Sequence, residues 1–432
     1  MVASSGDFRI SRVAGLLAID SRGRPTVKVV VETAGGGRGY GYAPSGASRG
    51  EREAVELRDG GRAWRGYGVS KALAIIESQV APRIVGLDSR WQARIDGLLI
   101  ALDGTPNKSR LGGNTTTATS IAVARAAADT AGLELFEYLG GPGARLLPTP
   151  LLNVINGGVH AGNELSLQEF MVIPAGFDSF TEALRAAVEV YWELKDLLKE
   201  KYGPNAVNVG DEGGFAPPMR ETRQALDALV EAIKRAGYEP GSHFYLGIDA
   251  AASQVYDGNR GVYRVDGREY TPSELADYYE SLVGEYPIKY LEDPFDENDF
   301  ESHAKLTARI GSKVLVTGDD LYTTNVRILE RGIESKSTNA VLVKINQVGT
   351  LTETVDFVER AKWAGMRAVI SHRSGDTEDP FIADFAVAMS AGLIKTGAPA
   401  RGERTSKYNR LLEIESILAG DAVYAGIRPF RR

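Results

Sequence analysis

Residues 340–346 read AVLVKIN, four apolar residues that run straight into Lys344. A short apolar, β-branched run of this kind reads as a buried strand, and the lysine at its end is a charge that a core would not accept without a reason. The same shape recurs on both sides. FYLGID ends at Asp249, IKYLED starts at 288, VLVTGDD at 314, MRAVISH at 366 and LIKTG at 393, with helix-like segments between them. Thr271-Pro272-Ser273-Glu274 and Thr350-Leu351-Thr352-Glu353 fit the capping box that opens a helix. Six such βα units imply a parallel sheet. Upstream, LLNVIN (151–156) and QEFMVIP (168–174) add two strands, followed by one helix from Ser179, stopped at Gly203-Pro204, and another near Glu221. The total of eight is the number that closes a barrel.

Outward from this region the rhythm changes. In TVKVVVET, Val27, Val29 and Val31 alternate with Lys28, Val30 and Glu32 as in a half-buried strand. Residues 35–50, GGGRGYGYAPSGASRG, hold seven glycines, which predicts little regular structure beyond a hairpin and a mobile, lid-like loop around Pro44–Gly50. Thr115 opens a helical run of small residues that stops at Gly132. The fold class expected is therefore α/β: an eight-stranded α/β barrel over residues 141–432, preceded by a smaller α+β domain over 1–140.

Composition narrows the chemistry. The 432 residues carry 50 basic and 57 acidic side chains, a net charge of −7, which lacks the basic excess that binding a nucleic-acid backbone requires. No apolar window is long enough to span a membrane and the start, MVASSGDFRIS, has no signal-peptide core, so a cytoplasmic protein is expected. Cysteine is absent, which removes disulfides, thiolate nucleophiles and zinc ribbons. With four histidines in all, a metal would sit more readily on carboxylates.

Active sites of such barrels lie at the C-terminal ends of the strands. Those ends carry Asp249, Glu292, Asp319, Lys344, His372 and Lys395, with Arg373 and Ser374 next to His372. The two earlier strands and the loop GDEGG add Glu169 and Glu212. Taken singly, each acid reads more readily as a helix cap or a solvated loop charge. Taken together, independent caps would not favour matching strand ends, and three converging carboxylates need a counter-ion. Asp249, Glu292 and Asp319 come from three successive strands, a donor set suited to Mg²⁺. Lys344 reads either as a lysine snorkelling from its strand or as a base whose pKa a metal and Lys395 depress. His372-Arg373-Ser374 would clamp a phosphate or carboxylate, while Lys395 would stay charged and hold an anion. Glu212, in a glycine-rich bend, could hold a proton as a general acid. His160, in NGGVHAGN, reads equally as a ligand-facing or a turn histidine.

The chain also resembles the enolase family. DSRGRPT from Asp20, PSGAS from Pro44, NGGVHAGN, LQEFMVIP, GDEGGFAP, LEDPF, GDDL, VLVKINQVGTL, SHRSGDTED and IKTGAPARGER follow the family's motifs in the family's order. LGGNTTTATS is similar to an archaeal-type variant. The resemblance implies a reversible dehydration of 2-phosphoglycerate to phosphoenolpyruvate. It implies a first Mg²⁺ on Asp249, Glu292 and Asp319, and a second, substrate-dependent Mg²⁺ with Ser48 as a ligand. It implies Lys344 as base and Glu212 as acid, with Glu169, His160 and Gln168 around the leaving hydroxyl and substrate. Arg373 and Ser374 would take the phosphate, and Lys395 the carboxylate side. A homodimer or higher homo-oligomer is implied too, although Glu413 stands where many members have an arginine of the intersubunit contact. Two rivals remain: another acid-sugar dehydratase or racemase of the wider superfamily, which the phosphate clamp disfavours, and a catalytically silent binding protein, which the full set of reactive side chains disfavours.

Overall fold

The computed structural model describes residues 6–46, 50, 52–158 and 161–431. Its N-terminal part is an antiparallel meander of β1 (Ile10–Ile19), β2 (Pro25–Thr33) and β3 (Arg38–Tyr42), covered on one face by α1 (Gly113–Ala131). Val27, Val29 and Val31 are buried against it. The glycines of β3 serve packing rather than mobility. A Cβ on Gly39 would come 2.1 Å from the Ala122 carbonyl, and one on Gly41 2.3 Å from that of Ala118, so this strand lies directly on the helix backbone. Beyond β3, Ser45 and Gly375 exchange backbone hydrogen bonds of 2.7 and 2.9 Å. Ala47, Ser48 and Arg49 of the anticipated lid fall outside the described residues.

The remainder is a closed barrel. Its strands are β4 (Thr149–Asn156), β5 (Glu169–Ile173), β6 (Tyr245–Asp249), β7 (Ile288–Glu292), β8 (Leu315–Gly318), β9 (Ala340–Val343), β10 (Arg367–Ser371) and β11 (Leu393–Lys395), neighbouring one another in that order, with β11 closing on β4. Two helices, α2 (Phe180–Tyr202) and α3 (Thr222–Arg235), lie between β5 and β6. Single long helices follow most later strands: α4 (Pro272–Glu285), α5 (Phe300–Ile310), α6 (Val326–Ser335), α7 (Leu351–Trp363), α8 (Phe381–Ala388) and α9 (Gly402–Leu418). Thr271 and Glu274 form a full capping box on α4. Ser179 and Thr350 each accept from the third residue of their helices.

In one respect the barrel departs from the parallel sheet read from the sequence. β5 runs antiparallel to both β4 and β6. The connection 157–168 holds no α-helix among its described residues, and a return without a crossover helix favours antiparallel pairing. Inside the barrel, Leu151, Met171, Tyr290, Leu315, Leu342, Val369 and Leu393 pack together, with Phe430 of the C-terminal segment in the same cluster. Outward-facing neighbours such as Ile248, Val316 and Ile370 join the larger core under the helices. A small three-stranded sheet within 256–270, unanticipated from the sequence, precedes α4.

Candidate active site

Strand register sets the first group of charges at one level. Glu169 pairs with Asp249 across β5 and β6, and Asp249 with Glu292 across β6 and β7. Because β5 is reversed, its first residue meets the last residues of its neighbours. Lys395, ending β11, reaches across the interior to all three: its Nζ lies 2.8 Å from Glu292 Oε2, 2.9 Å from Asp249 Oδ2 and 3.1 Å from Glu169 Oε2. Burial disfavours the Lys395 charge, yet the three carboxylates outweigh it and hold the ammonium well above its usual range. Burial, then the Asp249 charge, push the Glu292 carboxyl up to about 8. Glu292 Oε2 accepts from the Tyr290 hydroxyl at 2.7 Å, while its buried Oε1 has no hydrogen-bond partner among the described residues. Gln168 donates to Asp249 Oδ2 at 3.4 Å and accepts from Gln254 at 2.8 Å.

A second group gathers at the ends of β8 and β9. Lys344 donates to Asp319 Oδ2, and Gln347 donates to Asp319 Oδ1 at 3.0 Å. Asp293 accepts from the backbone N–H groups of Asp319 and Asp320, each at 2.9 Å. Asp293 itself sits at φ +39°, a strained value for a residue with a side chain. Among the described residues, Asp293, Asp319 and Asp320 are the carboxylates whose oxygens approach closely enough to share an ion. Asp249 and Glu292 instead have Lys395 between them. The Lys344 shift runs opposite to the depression anticipated from the sequence: burial favours the neutral amine, but the Asp319 charge prevails and raises its pKa.

A third group holds the acids and the imidazole. Glu212, in the loop between α2 and α3, accepts from Asn153 Nδ2 at 3.1 Å and lies 3.2 Å from His372 Nε2. Burial foremost, and then the Glu212 charge, push the Glu169 carboxyl well up despite Lys395. Burial pushes the His372 imidazole down to about 3, with Arg404 assisting and Glu212 opposing. Beside it, Arg373 donates to both oxygens of Glu53, at 2.7 and 3.1 Å, and to Asn346 at 3.1 Å.

One cavity at this end of the barrel is lined by Gln168, Glu169, Glu212, Asp249, Asp319, Lys344, His372, Arg373, Ser374 and Lys395, which the sequence singled out. Glu292 is not among the lining residues but is bonded to Lys395, which is. Ser48 and His160 lie outside the described residues. Sequence reasoning missed Glu53, Asn153, Asp293, Asp320, Gln347 and Arg404. Arg404 closes the quoted motif IKTGAPARGER, the one signal that pointed at it. Chemically, the cavity offers a raised lysine on a carboxylate, a carboxyl pair and fixed cations, with the Glu292 carboxylate bonded to Lys395 behind them.

Two family models match the chain: "Enolase, N-terminal domain" over residues 10–139 and "Enolase, C-terminal TIM barrel domain" over 144–432. Among curated proteins it is similar to the enolase of Aeropyrum pernix, 63% identical over 420 residues that cover 97% of each chain. The enolase of Methanopyrus kandleri is 56% identical over 416 residues, 96% of this chain and 97% of its own. That of Methanocaldococcus jannaschii is 54% identical over 424 residues, 98% of each.

Proposed function

This chain belongs to the enolase family, and from that premise we propose how its own residues divide the work. The protein is a carbon–oxygen lyase of glycolysis that interconverts 2-phosphoglycerate and phosphoenolpyruvate, and the family implies a divalent metal. In the proposed division, Lys344 takes the proton from the carbon beside the substrate carboxylate and Glu212 delivers one to the departing hydroxyl. The observation that carries this reading is that both line a single cavity with Arg373 and Ser374, so base, acid and phosphate clamp can meet one small substrate. Glu169, whose carboxyl burial and the Glu212 charge push well up, completes a carboxyl pair that can share the acid's proton. Gln168 would border the leaving group, a role the family resemblance also gives to His160, and His372 would steady Glu212. Lys395 keeps its charge beside the substrate carboxylate, where negative charge grows in the transition state.

Asp249, Glu292 and Asp319 would hold the metal. The donor set fits: Glu292 Oε1 is buried with no partner among the described residues, and hard carboxylate oxygens suit Mg²⁺. When bound, the ion supplies positive charge to the developing enediolate. Were Asp319 to hold the ion, Lys344 would lose the carboxylate that now keeps its proton in place. We further propose a second, substrate-dependent Mg²⁺ with Ser48 among its ligands, a division into domains 1–140 and 141–432, and a homodimer or higher homo-oligomer in the cytoplasm with neither nucleic acid nor membrane as partner. Among the described residues, no helix is long and apolar enough to cross a membrane.

A coupled assay of phosphoenolpyruvate formation, with Mg²⁺ and with excess EDTA, tests the reading. Turnover should require the ion and return on its re-addition. Equal turnover of non-phosphorylated 2-hydroxy acids would favour the superfamily rival, and no turnover of either would favour a binding protein.

A further inference from the structure

Arg404, on the first turn of α9, has no solvent exposure. A guanidinium buried so completely is ordinarily neutralised by a bidentate carboxylate, but the nearest here, Glu403, is 3.5 Å from Nε. The other donors go elsewhere. Nη1 lies 2.6 Å from His372 Nδ1 and 2.7 Å from the Arg373 carbonyl; Nη2 lies 2.6 Å from the Ser374 carbonyl and 3.0 Å from that of Asp211. One side chain thus ties the loop of the acid Glu212 to the loop of the phosphate clamp.

The geometry points to Arg404 as the positioning residue that fixes the His372 tautomer, so that Nε2–H is what His372 presents to Glu212. The argument is one of donor accounting. Arginine only donates, so the ring atom facing it at 2.6 Å must be a lone pair, and Nδ1 carries no hydrogen. A neutral imidazole then bears its hydrogen on Nε2, which faces Glu212 Oε2 at 3.2 Å without the alignment of a full hydrogen bond. In that form His372 has no free nitrogen to receive the acid's proton. Glu212 exchanges its proton with Glu169 or the substrate, and the imidazole orients it without taking part. The ionisable groups facing the ring are Glu212 from the α2–α3 loop, Lys395 from β11 and Arg404 from α9. Burial, with Arg404 and Lys395 assisting and Glu212 opposing, holds the imidazole well below its usual range, so the buried ring is neutral near neutral pH.

The inference rests on the assignment of Glu212 as acid, so its test is made on the protein alone. Only four histidines are present, and long-range ¹H–¹⁵N spectra of the ¹⁵N-labelled full chain can resolve each imidazole. His372, identified by the signal lost in His372→Gln, should show the Nε2–H tautomer and hold its shifts from about pH 5 to 8. His303 is an internal contrast: its Nδ1 lies 2.7 Å from the Asp299 carbonyl, which requires Nδ1–H. An Nδ1–H tautomer for His372, or titration near 6.5, overturns the inference whether or not any Arg404 variant folds. Arg404→Lys keeps the charge but loses the fork. It should mix the tautomers and lower kcat by about 10²-fold, with KM little changed and exchange of the substrate's C2 hydrogen retained. Exchange and turnover falling together, with the tautomer unchanged, would also overturn it. Failure of wild-type protein to dehydrate 2-phosphoglycerate would remove the functional reading and leave the tautomer standing.

Discussion

The Glu53 carboxylate lies across the Arg373 guanidinium, Oε2 at 2.7 Å from Nη1 and Oε1 at 3.1 Å from Nη2, with both side chains buried. The partners are 320 residues apart in sequence, one from the segment after PSGAS and the other from the end of β10. Gln347 extends the link, donating to Glu53 Oε1 at 3.3 Å and to Asp319 Oδ1 at 3.0 Å. The arginine proposed to grip the phosphate and a proposed metal ligand therefore belong to one hydrogen-bonded chain.

Removing the carboxylate should reveal what it balances. Glu53→Gln removes the bidentate carboxylate of the buried Arg373, and breaking a buried pair in this way costs about 3–5 kcal/mol. The melting temperature should fall, and inorganic phosphate should restore more of the loss than it adds to wild type, because the anion enters the vacated fork. Equal responses to phosphate in the two proteins would show that Arg373 does not offer its fork to anions.

Asp319→Asn removes one charge from the proposed metal shell and frees Lys344 from its ion pair. Titrating activity with Mg²⁺ should give a weaker apparent affinity by about 10-fold or more, since second partners of metal ligands alone are worth 10–100-fold. An unchanged titration curve would contradict the ligand assignment.

The acid and the base separate kinetically. Lys344→Ala should lose both C2 hydrogen–deuterium exchange and product. Glu212→Gln keeps the amine, so exchange should continue while product formation drops by about 10²–10⁴-fold. Exchange persisting in Lys344→Ala but absent in Glu212→Gln would reverse the two roles.

Stability should fall in acid partly through His303. Burial holds this imidazole down to about 4 in the folded protein, whereas the unfolded chain takes up its proton near 6.5. The unfolded state therefore binds more protons between those values. The contribution is complete above about pH 6.5 and is lost as pH falls toward 4, at up to about 1.4 kcal/mol per pH unit. His303→Gln cannot titrate and should flatten the slope of urea-unfolding free energy between about pH 6.5 and 5; an identical slope would exclude His303 as its source.

Gly41→Ala places a methyl group 2.3 Å from the Ala118 carbonyl and 2.8 Å from Ile121 Cβ. Overpacking of this kind costs about 1–3 kcal/mol, so the variant should melt earlier. A wild-type melting temperature would mean that β3 and α1 can separate freely.

Most barrel strands were legible because a parallel strand covered on both faces has to be apolar throughout, and AVLVKIN or MRAVISH is that pattern ended by a charge. The direction of β5 was not legible. All five residues of EFMVI are buried, and such a strand reads alike either way along. β1 went unseen because ISRVAGLLAI leaves Leu16, Leu17 and Ile19 exposed, which spoils any alternation. Within the site, a charge closing an apolar run announced itself, as at Lys344 and Lys395. Glu53 in RGERE and Arg404 in ARGER stand among other charges, and only the packed chain selects one arginine or glutamate from its neighbours.

The reversed strand has a topological consequence for where the acid sits. β4 climbs to the reactive end and β5 descends from it, so the chain leaves β5 at the far end of the barrel. A single return helix would then finish at the reactive end, from which β6 could not start its climb. Parity demands an even number of passes, and α2 and α3 supply two. The extra ascent leaves the α2–α3 connection hanging over the mouth of the cavity, and Glu212 is in that connection. Reversing one short strand thus sends its own outgoing loop to the far end of the barrel, and on the reactive face the α2–α3 connection, which bears the group proposed to release the hydroxide, takes that loop's place.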